Sequence, residues 1–391
     1  MVQAYRLDQT WLLFTMPLLI FSILWDRWKP EDVLSSRSEI TALRHRNLNS
    51  RPVSWWAGIQ QIIMTLFAHL VGASVGREAV GIQLGGWAGR LRGTRGWYFG
   101  GCLAAGFAIV LGTPIAAALF VFESKRWHSG WREFVGIPLL SYLAYRFSTL
   151  VGVTHVEYRT FDVTFTELRS IPLASLFAVL TSLVLAAAGL SVLFLWSVDR
   201  AARRKKNVVG QILIPLIFLT LVGLTFGYFG ARVESTGLPG LGVAVLPNLW
   251  LAEPDFFTVF NHPLLFGVLK VFLTAAFVGL GVRGGELTPL LFAGALIAVG
   301  LAALFHLPIA SFVALGFPVL WGIAARRPLT AAILAVELFG FSPWGLLALL
   351  IFTLVFAGIK ICDFSLKGFP HLARVFARGL YDESYVQPGS D

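Results

Sequence analysis

Two glycine-rich segments each carry a glutamate at a point where a helix is expected to begin. The first is Gly76-Arg77-Glu78, and the second is Gly284-Gly285-Glu286, which is followed by Thr288 and Pro289. A helix N-terminus offers unpaired N–H groups and about half a positive charge, so it attracts anions. A carboxylate at that position is itself an anion, which protonation or displacement can remove. The pattern therefore indicates a site where anion and proton occupancy are coupled.

Each of these residues also has a plainer structural role. Glu78 could stabilise the first turn of its own helix, paired with Arg77, and Thr288 could act as the N-cap of the helix that follows it. Pro289 suits the first turn of that helix. An ionisable residue at membrane depth is costly and is therefore a functional candidate. We take Glu78 as the first candidate, and Glu286 with Thr288 as the second; capping and anion binding are compatible roles for Thr288.

The remaining polar residues give weaker indications. Glu123 and Glu337 lie near predicted helix ends and are expected to be structural, as paired or capped acids. Tyr381 follows the last predicted helix, where an aromatic residue is either an interfacial anchor or a phenol that reaches back to a buried anion. The seven histidines form no HExxH motif, and Cys102 and Cys362 have no metal or redox spacing. We therefore predict no metal, no cofactor and no enzyme activity.

The composition indicates which elements must position these residues. Of the 391 residues, 57% are apolar and 13% are charged, whereas a soluble domain has roughly 25% charged residues. Uncharged runs cover Ile171 to Val198, Gln211 to Ala231 and Leu338 to Ile359, each long enough to cross a hydrocarbon core about 30 Å thick. Their continuous apolarity excludes a β-barrel. The chain is predicted to be an all-α polytopic membrane protein.

The positive charge is distributed as in a membrane protein. The net charge is +10, with basic residues clustered between Arg27 and Arg51 and between Arg200 and Lys206, beside apolar runs. Such clusters mark cytoplasmic loops under the positive-inside rule. This distribution argues against nucleic acid as a partner and makes the lipid bilayer the expected one. The first apolar stretch, Thr10 to Trp25, lacks a small-residue cleavage site after it, so we expect a retained helix.

Apolar runs between Gly and Pro breakers predict the helices. They lie near residues 10–26, 53–72, 78–90, 97–112, 115–123, 134–152, 171–198, 209–230, 262–279, 288–304, 307–323, 328–340, 343–361 and 368–379. Several are too short to span a bilayer. Broken helices whose ends meet near mid-membrane expose backbone N–H groups to a buried anion. Re-entrant packing without such a role would explain the short pieces equally well.

An internal repeat favours the first explanation. Residues 114–123, PIAAALFVFE, match residues 328–337, PLTAAILAVE, with Pro and Glu nine residues apart in both. The glycine-flanked glutamates precede these segments by similar distances, because Glu78 lies 36 residues before Pro114 and Glu286 lies 42 before Pro328. Two matches in the same order indicate two structural halves.

These motifs resemble the CLC family of anion channels and transporters, and within it the fluoride/proton antiporter branch. Gly76-Arg77-Glu78 resembles the family's gating-glutamate motif, and Gly284-Gly285-Glu286-Leu-Thr288-Pro289 resembles the fluoride-branch form of a second motif. The resemblance implies that Glu78 is the gating glutamate. It further implies that Glu286 and Thr288 lie near a central anion site and that Tyr381 is the central tyrosine.

The resemblance is incomplete at three places. It implies that the chain starts just before the family's second long helix, so that the first is missing. Ala79 replaces the glycine that usually follows the gating glutamate. The loop that usually supplies a polar anion ligand lacks its glycine, leaving Ser36 and Ser38 as the candidate ligands. Apart from these departures, Ser124 occupies the place where proton-coupled chloride members usually carry an inner glutamate, as expected if this branch moves protons by another route.

The sequence thus predicts a single CLC-type transmembrane domain over residues 1–391. Its halves would cover about 10–153 and 171–385, related as inverted repeats with broken helices. The expected function is F⁻/H⁺ exchange by a homodimer in a bacterial inner membrane. Chloride transport, as a channel or a Cl⁻/H⁺ antiporter, and a transport-inactive member are the alternatives.

Overall fold

The computed structural model describes eleven helices. The residues described are 59, 62–65, 76, 78–91, 97–124, 130–153, 171–204, 263–280, 284–307, 309–339 and 344–378. The helices are α1 (Glu78–Arg90), α2 (Trp97–Leu111), α3 (Pro114–Ser124), α4 (Trp131–Leu150), α5 (Leu173–Arg204), α6 (Pro263–Leu280), α7 (Leu287–Leu304), α8 (Ile309–Ala325), α9 (Pro328–Phe339), α10 (Trp344–Ser365) and α11 (Pro370–Arg378). Within these ranges there is no strand, which confirms the all-α prediction.

Helix starts follow local sequence rules. Four helices (α3, α6, α9 and α11) begin with proline, which lacks the N–H that would be unpaired there anyway. The bounds agree with the predicted ones to within a few residues, except that α5 continues to Arg204 instead of ending at residue 198. The predicted helix ended at Val198 because the next residue, Asp199, is charged. Arg and Ala are strong helix formers, so the helix continues through DRAARR.

The predicted repeat is visible as two four-helix series, α1–α4 and α7–α10. Neighbouring helices in each series pack closely at glycines. Gly81 of α1 meets Gly106 of α2, and Gly294 of α7 meets Gly316 of α8. A β-carbon on Gly81 or Gly294 would collide with the facing backbone, so only glycine permits this approach.

The two series are joined by reciprocal contacts between α3 and α9. Glu123, at the end of α3, accepts hydrogen bonds from the N–H groups of Leu329 and Thr330, each at 3.0 Å, at the start of α9. Glu337, near the end of α9, accepts from Ile115 N–H at 2.9 Å and Ala116 N–H at 2.8 Å at the start of α3. Because the end of α3 meets the start of α9 and the end of α9 meets the start of α3, the two helices run antiparallel, as inverted halves require. The structural role predicted for both acids is confirmed, and the structure shows that each caps the start of the other's helix.

The membrane-spanning character is also clear. Three helices in the described part of the chain, within α5, α7 and α10, are long and apolar enough to cross a bilayer. Most of α7 is buried among other helices, whereas α4 exposes large apolar side chains such as Phe134, Leu143 and Phe147. The helix α7 therefore forms the centre of the fold, and α4 lies at its periphery.

Several predictions fall outside the described residues. These are the helices near 10–26 and 209–230, most of the helix near 53–72, the basic cluster between Arg27 and Arg51, and the partner proposed for Glu78, Arg77.

Candidate functional site

The Glu78 carboxylate binds the start of a helix from the other half of the protein. Glu78 is the first residue of α1 and is only 2% exposed. Its Oε1 accepts the backbone N–H of Thr288 at 3.2 Å, and its Oε2 accepts the Thr288 hydroxyl at 2.8 Å. The sequence suggested that Glu78 acts at the start of its own helix. The structure instead places the carboxylate on the first turn of α7, 210 residues away.

Two glycines, Gly76 and Gly285, lie directly against this carboxylate. Gly76 and Gly285 pair as an isolated antiparallel bridge, with N–H groups donated in both directions at 2.5 and 2.7 Å. A β-carbon on either glycine would overlap the Glu78 carboxylate. The bridge brings the two glycine-rich motifs together, and the missing side chains leave the space that Glu78 fills.

Glu286 and Thr288 lie at the same helix start. Glu286 is at the N-cap position of α7 and is 3% exposed, and its side chain makes no capping hydrogen bond. Thr288 is the second residue of the helix, so its suggested role as N-cap is wrong. Its N–H and hydroxyl both point to Glu78 instead. Pro289 falls in the first turn, as expected.

In this arrangement the Glu78 carboxylate, an anion, occupies the N-terminus of α7. The unpaired N–H groups and the helix dipole favour a negative charge at the start of α7. Glu78 supplies that charge through a flexible side chain, and Gly76 and Gly285 present no side chain that would hold it in place. A small anion could form the same two hydrogen bonds with Thr288 if the carboxylate left.

The other predicted site residues are not tested by the structure. Ser36, Ser38 and Tyr381 lie outside the described residues, so the structure brings together three of the six: Glu78, Glu286 and Thr288. Groups of His, Cys, Asp and Glu that could hold a metal do not occur among the residues described.

Sequence reasoning missed two buried cations. Lys270, 1% exposed, is the one charged residue of α6, and its ammonium lies 5.9 Å from the centre of the Phe292 ring. Arg327, 2% exposed, donates to the carbonyl of Phe120 and, at 2.5 Å, to the hydroxyl of Ser124. A cation thus binds Ser124 at the place where the resemblance suggested an inner glutamate. A lone charge within an apolar run was the available signal for Lys270, whereas Arg327 directly follows Arg326 and gives no such signal.

The fold and the site together define a class. This is a polytopic helical membrane protein with inverted halves whose short helices meet start to end around a buried, anion-attracting helix N-terminus. The family model for voltage gated chloride channels matches residues 17–359. The chain therefore belongs to the CLC family, whose members are ion channels or transporters.

Individual relatives have low sequence identity to this chain. A chloride/fluoride channel protein of Pseudomonas syringae pv. tomato is 29% identical in an alignment of 293 residues that covers 71% of this chain and 61% of that protein. The aligned part of this chain thus spans about three fifths of its relative's length.

Two solved structures have the same fold. The first is a slow cyanobacterial Cl⁻/H⁺ antiporter, with a TM-score of 0.72 and 19% identity, covering 95% of this chain and 87% of that one. The second is a CLC-type fluoride/proton antiporter, with a TM-score of 0.63 and 22% identity, covering 89% of this chain and 91% of that one. At these identities the likeness concerns the fold.

Proposed function

We propose that this protein exchanges fluoride for protons, with Glu78 as the residue that carries both the gating and the proton coupling. The observation that supports this is the Glu78 carboxylate on Thr288, at the start of α7, with Glu286 beside it. Anion and carboxylate compete for the same donors. When Glu78 takes up a proton it loses the charge that the helix start favours, and the anion can replace it.

The choice of fluoride rests on the donors. Fluoride is small and strongly hydrated, so a dehydrated site must offer close, hard donors such as backbone N–H and hydroxyl groups. Thr288 supplies one of each, and both are directed at the Glu78 carboxylate. The buried Glu286 would repel any anion unless it is protonated or turned away, which favours a proton-linked cycle over simple conduction. We expect Tyr381, Ser36 and Ser38 to complete the anion path.

The decisive experiment is anion efflux from proteoliposomes that contain the full chain, with pH recorded simultaneously. We expect F⁻ efflux with H⁺ uptake in a fixed ratio and slower Cl⁻ movement. Preferred chloride transport would support the alternative within the same family, and anion flux without proton movement would indicate a channel. If the folded protein moves neither anions nor protons, it is a transport-inactive member of the family.

We further propose that the protein works as a homodimer in a bacterial inner membrane, with one pathway in each subunit. The exposed apolar residues of α4, such as Phe134 and Leu143, provide a surface that lipid or a second copy would cover. The basic clusters at Arg27–Arg51 and Arg200–Lys206 should both face the cytoplasm. Cysteines introduced there should resist a membrane-impermeant reagent applied to intact cells, and labelling of either from outside would refute this topology.

A further inference from the structure

A lysine is buried in the middle of α6, beside the helix whose start holds the candidate anion site. Lys270 is 1% exposed, and the other residues of α6 are uncharged. Seven residues, about 10 Å of helix, separate it from the start of α6 at Pro263. Its low exposure shows that the ammonium does not extend to the membrane surface, as lysines near helix ends do. A charge kept at this depth is costly and is a functional candidate.

Lys270 faces α7 and lies near its first turns. One turn before Lys270, Gly267 lies against Ile297 of α7, and the Lys270 ammonium is 5.9 Å from the centre of the Phe292 ring. Phe292 comes one helical turn after Thr288, so the two share a face of α7. Helical side chains lean toward the N-terminus, which brings the Phe292 ring toward Thr288. The ammonium is therefore on the order of 10 Å from the anion site.

The start of α7 has more negative charge around it than its own dipole offsets. Glu78 and Glu286 are both buried there, at 2% and 3% exposure, and each is an anion when deprotonated. The helix N-terminus supplies about half a positive charge. Lys270 adds a full positive charge on the adjacent helix, in apolar surroundings where charges act over longer distances than they do in water.

Arg327, which is also buried, has a different position in the fold. Its guanidinium donates to the carbonyl of Phe120 and the hydroxyl of Ser124, and it lies 4.1 Å from the Phe120 ring centre. These contacts join the residue before α9 to the end of α3. Arg327 thus serves the contact between the two halves, whereas Lys270 lies on a helix that packs against the anion site.

The internal repeat provides a comparison for Lys270. The shift of 208 residues that aligns Glu78 with Glu286 also aligns Ile62 with Lys270. Ile62 is half-buried and aliphatic. The first half of the protein thus folds with an apolar side chain at the equivalent position. The positive charge belongs to the half whose helix start receives the Glu78 carboxylate.

We propose that Lys270 is an electrostatic residue of the anion site, and that its ammonium strengthens the binding of a monovalent anion at the start of α7. This inference rests on the proposed function, in which an anion replaces the Glu78 carboxylate on Thr288. Lys270 acts over a distance and is not a ligand. It favours the carboxylate and the transported ion equally, because each carries one negative charge. It therefore keeps an anion in the site, and the Thr288 donors select which ion binds.

The test is isothermal titration of the purified full chain with sodium fluoride and, separately, with sodium chloride. Glu78→Ala is the background, because no gate carboxylate then competes with the ion. We expect Lys270→Gln to weaken the binding of both ions roughly 10- to 20-fold, the factor for a unit charge about 10 Å away at an effective dielectric constant of about 20. Lys270→Arg keeps the charge and should retain the affinity. Lys367→Gln, which removes an exposed cation beyond the end of α10, is the matched control and should change nothing.

Two further measurements separate a distant charge from a local donor. Lys270→Gln should leave the ratio of fluoride to chloride affinity unchanged, whereas Thr288→Val in the same background should weaken fluoride binding more than chloride binding. With Glu78 intact, the loss caused by Lys270→Gln should be smaller. The competing carboxylate then loses the same electrostatic support as the ion.

The remaining outcomes decide against the proposal. Unchanged affinity in folded Lys270→Gln would overturn it, as would an equal loss in Lys270→Arg, which would show that packing matters and not charge. Lys270→Met is a second neutral variant, and if only the arginine variant folds, the charge serves folding and the proposal fails. A Glu78→Ala protein that binds neither ion with Lys270 intact would remove the anion site itself, and with it the proposed function.

Discussion

Two places in this molecule use the same chemistry with opposite consequences. In both, a glutamate from one half accepts hydrogen bonds from the first turn of a helix in the other half. Glu123 does so at the start of α9, where it receives the N–H groups of Leu329 and Thr330 and, at 2.5 Å, the Thr330 hydroxyl. Glu78 does so at the start of α7, where it receives one N–H and one hydroxyl from Thr288.

The surroundings of the two carboxylates differ. Glu123 projects from the last turn of a regular helix, and Glu337 returns the same contact from α9 to α3, so neither can leave without breaking a reciprocal pair. Glu78 forms the longer N–H bond, at 3.2 Å, and is flanked by Gly76 and Gly285, which have no side chains to confine it. The comparison teaches that the same capping contact is fixed where two helices cap each other, as at Glu123 and Glu337, and is less confined where glycines surround the carboxylate, as at Glu78.

The largest difference between the two carboxylates is expected from Glu78→Gln. A permanently neutral side chain retains the shape but cannot carry a proton through the cycle, so we expect complete loss of H⁺ movement in proteoliposomes while anion flux continues. The thermal stability should change little, because an amide oxygen still accepts a hydrogen bond. Undiminished H⁺ coupling in this variant would remove Glu78 as the proton carrier.

Glu123→Ala should act on stability instead. It leaves two buried N–H groups and the Thr330 hydroxyl at the start of α9 without their acceptor, which costs on the order of 3 kcal/mol. We expect a clearly lower unfolding temperature in detergent, with an unchanged F⁻ to H⁺ ratio in the protein that remains folded. Loss of coupling at normal stability would show that Glu123 belongs to the transport path after all.

Thr288→Val tests the donors of the gate. The variant keeps the shape and deletes the hydroxyl, and a lost hydrogen bond to a charged group costs about 1.5–3 kcal/mol. Fluoride affinity should fall roughly ten- to hundredfold. Chloride, which depends less on strong donors, should suffer less, so the preference for fluoride should narrow in paired flux measurements. An equal loss for both ions would reduce Thr288 to a structural residue of the α7 start.

The smallest effect is expected from Gly285→Ala. The added methyl group overlaps the Glu78 carboxylate, which is the end of a flexible side chain and can move aside, so the fold should survive. We expect a carboxylate displaced from Thr288 and anion flux that is faster but less strictly coupled to protons. Gly81→Ala is the matched control, because its methyl group meets the backbone of Gly106 and should lower stability instead. Unchanged flux and coupling in Gly285→Ala would mean that the carboxylate keeps its place.

The sequence by itself determined the class of protein, the helices and the repeat. Apolar runs and prolines at helix starts are local signals, so the described bounds were predicted to within a few residues, apart from the end of α5. Glu78, Glu286 and Thr288 were recognisable because each follows glycines at a helix start. Glu123 and Glu337 were identified as structural acids near helix ends, although the helix starts that they cap were not.

Only the tertiary structure decided which helix start each carboxylate reaches. Glu78 and Thr288 are 210 residues apart, and Glu123 and Leu329 are 206 apart. A sequence pattern shows that a helix begins and that an acid is near, but any acid can satisfy any helix start within reach. The inverted packing of the two halves sets that choice, because it brings the end of one helix to the start of another. It also buries Lys270 and Arg327, whose partners come from other helices and cannot be identified from the local sequence.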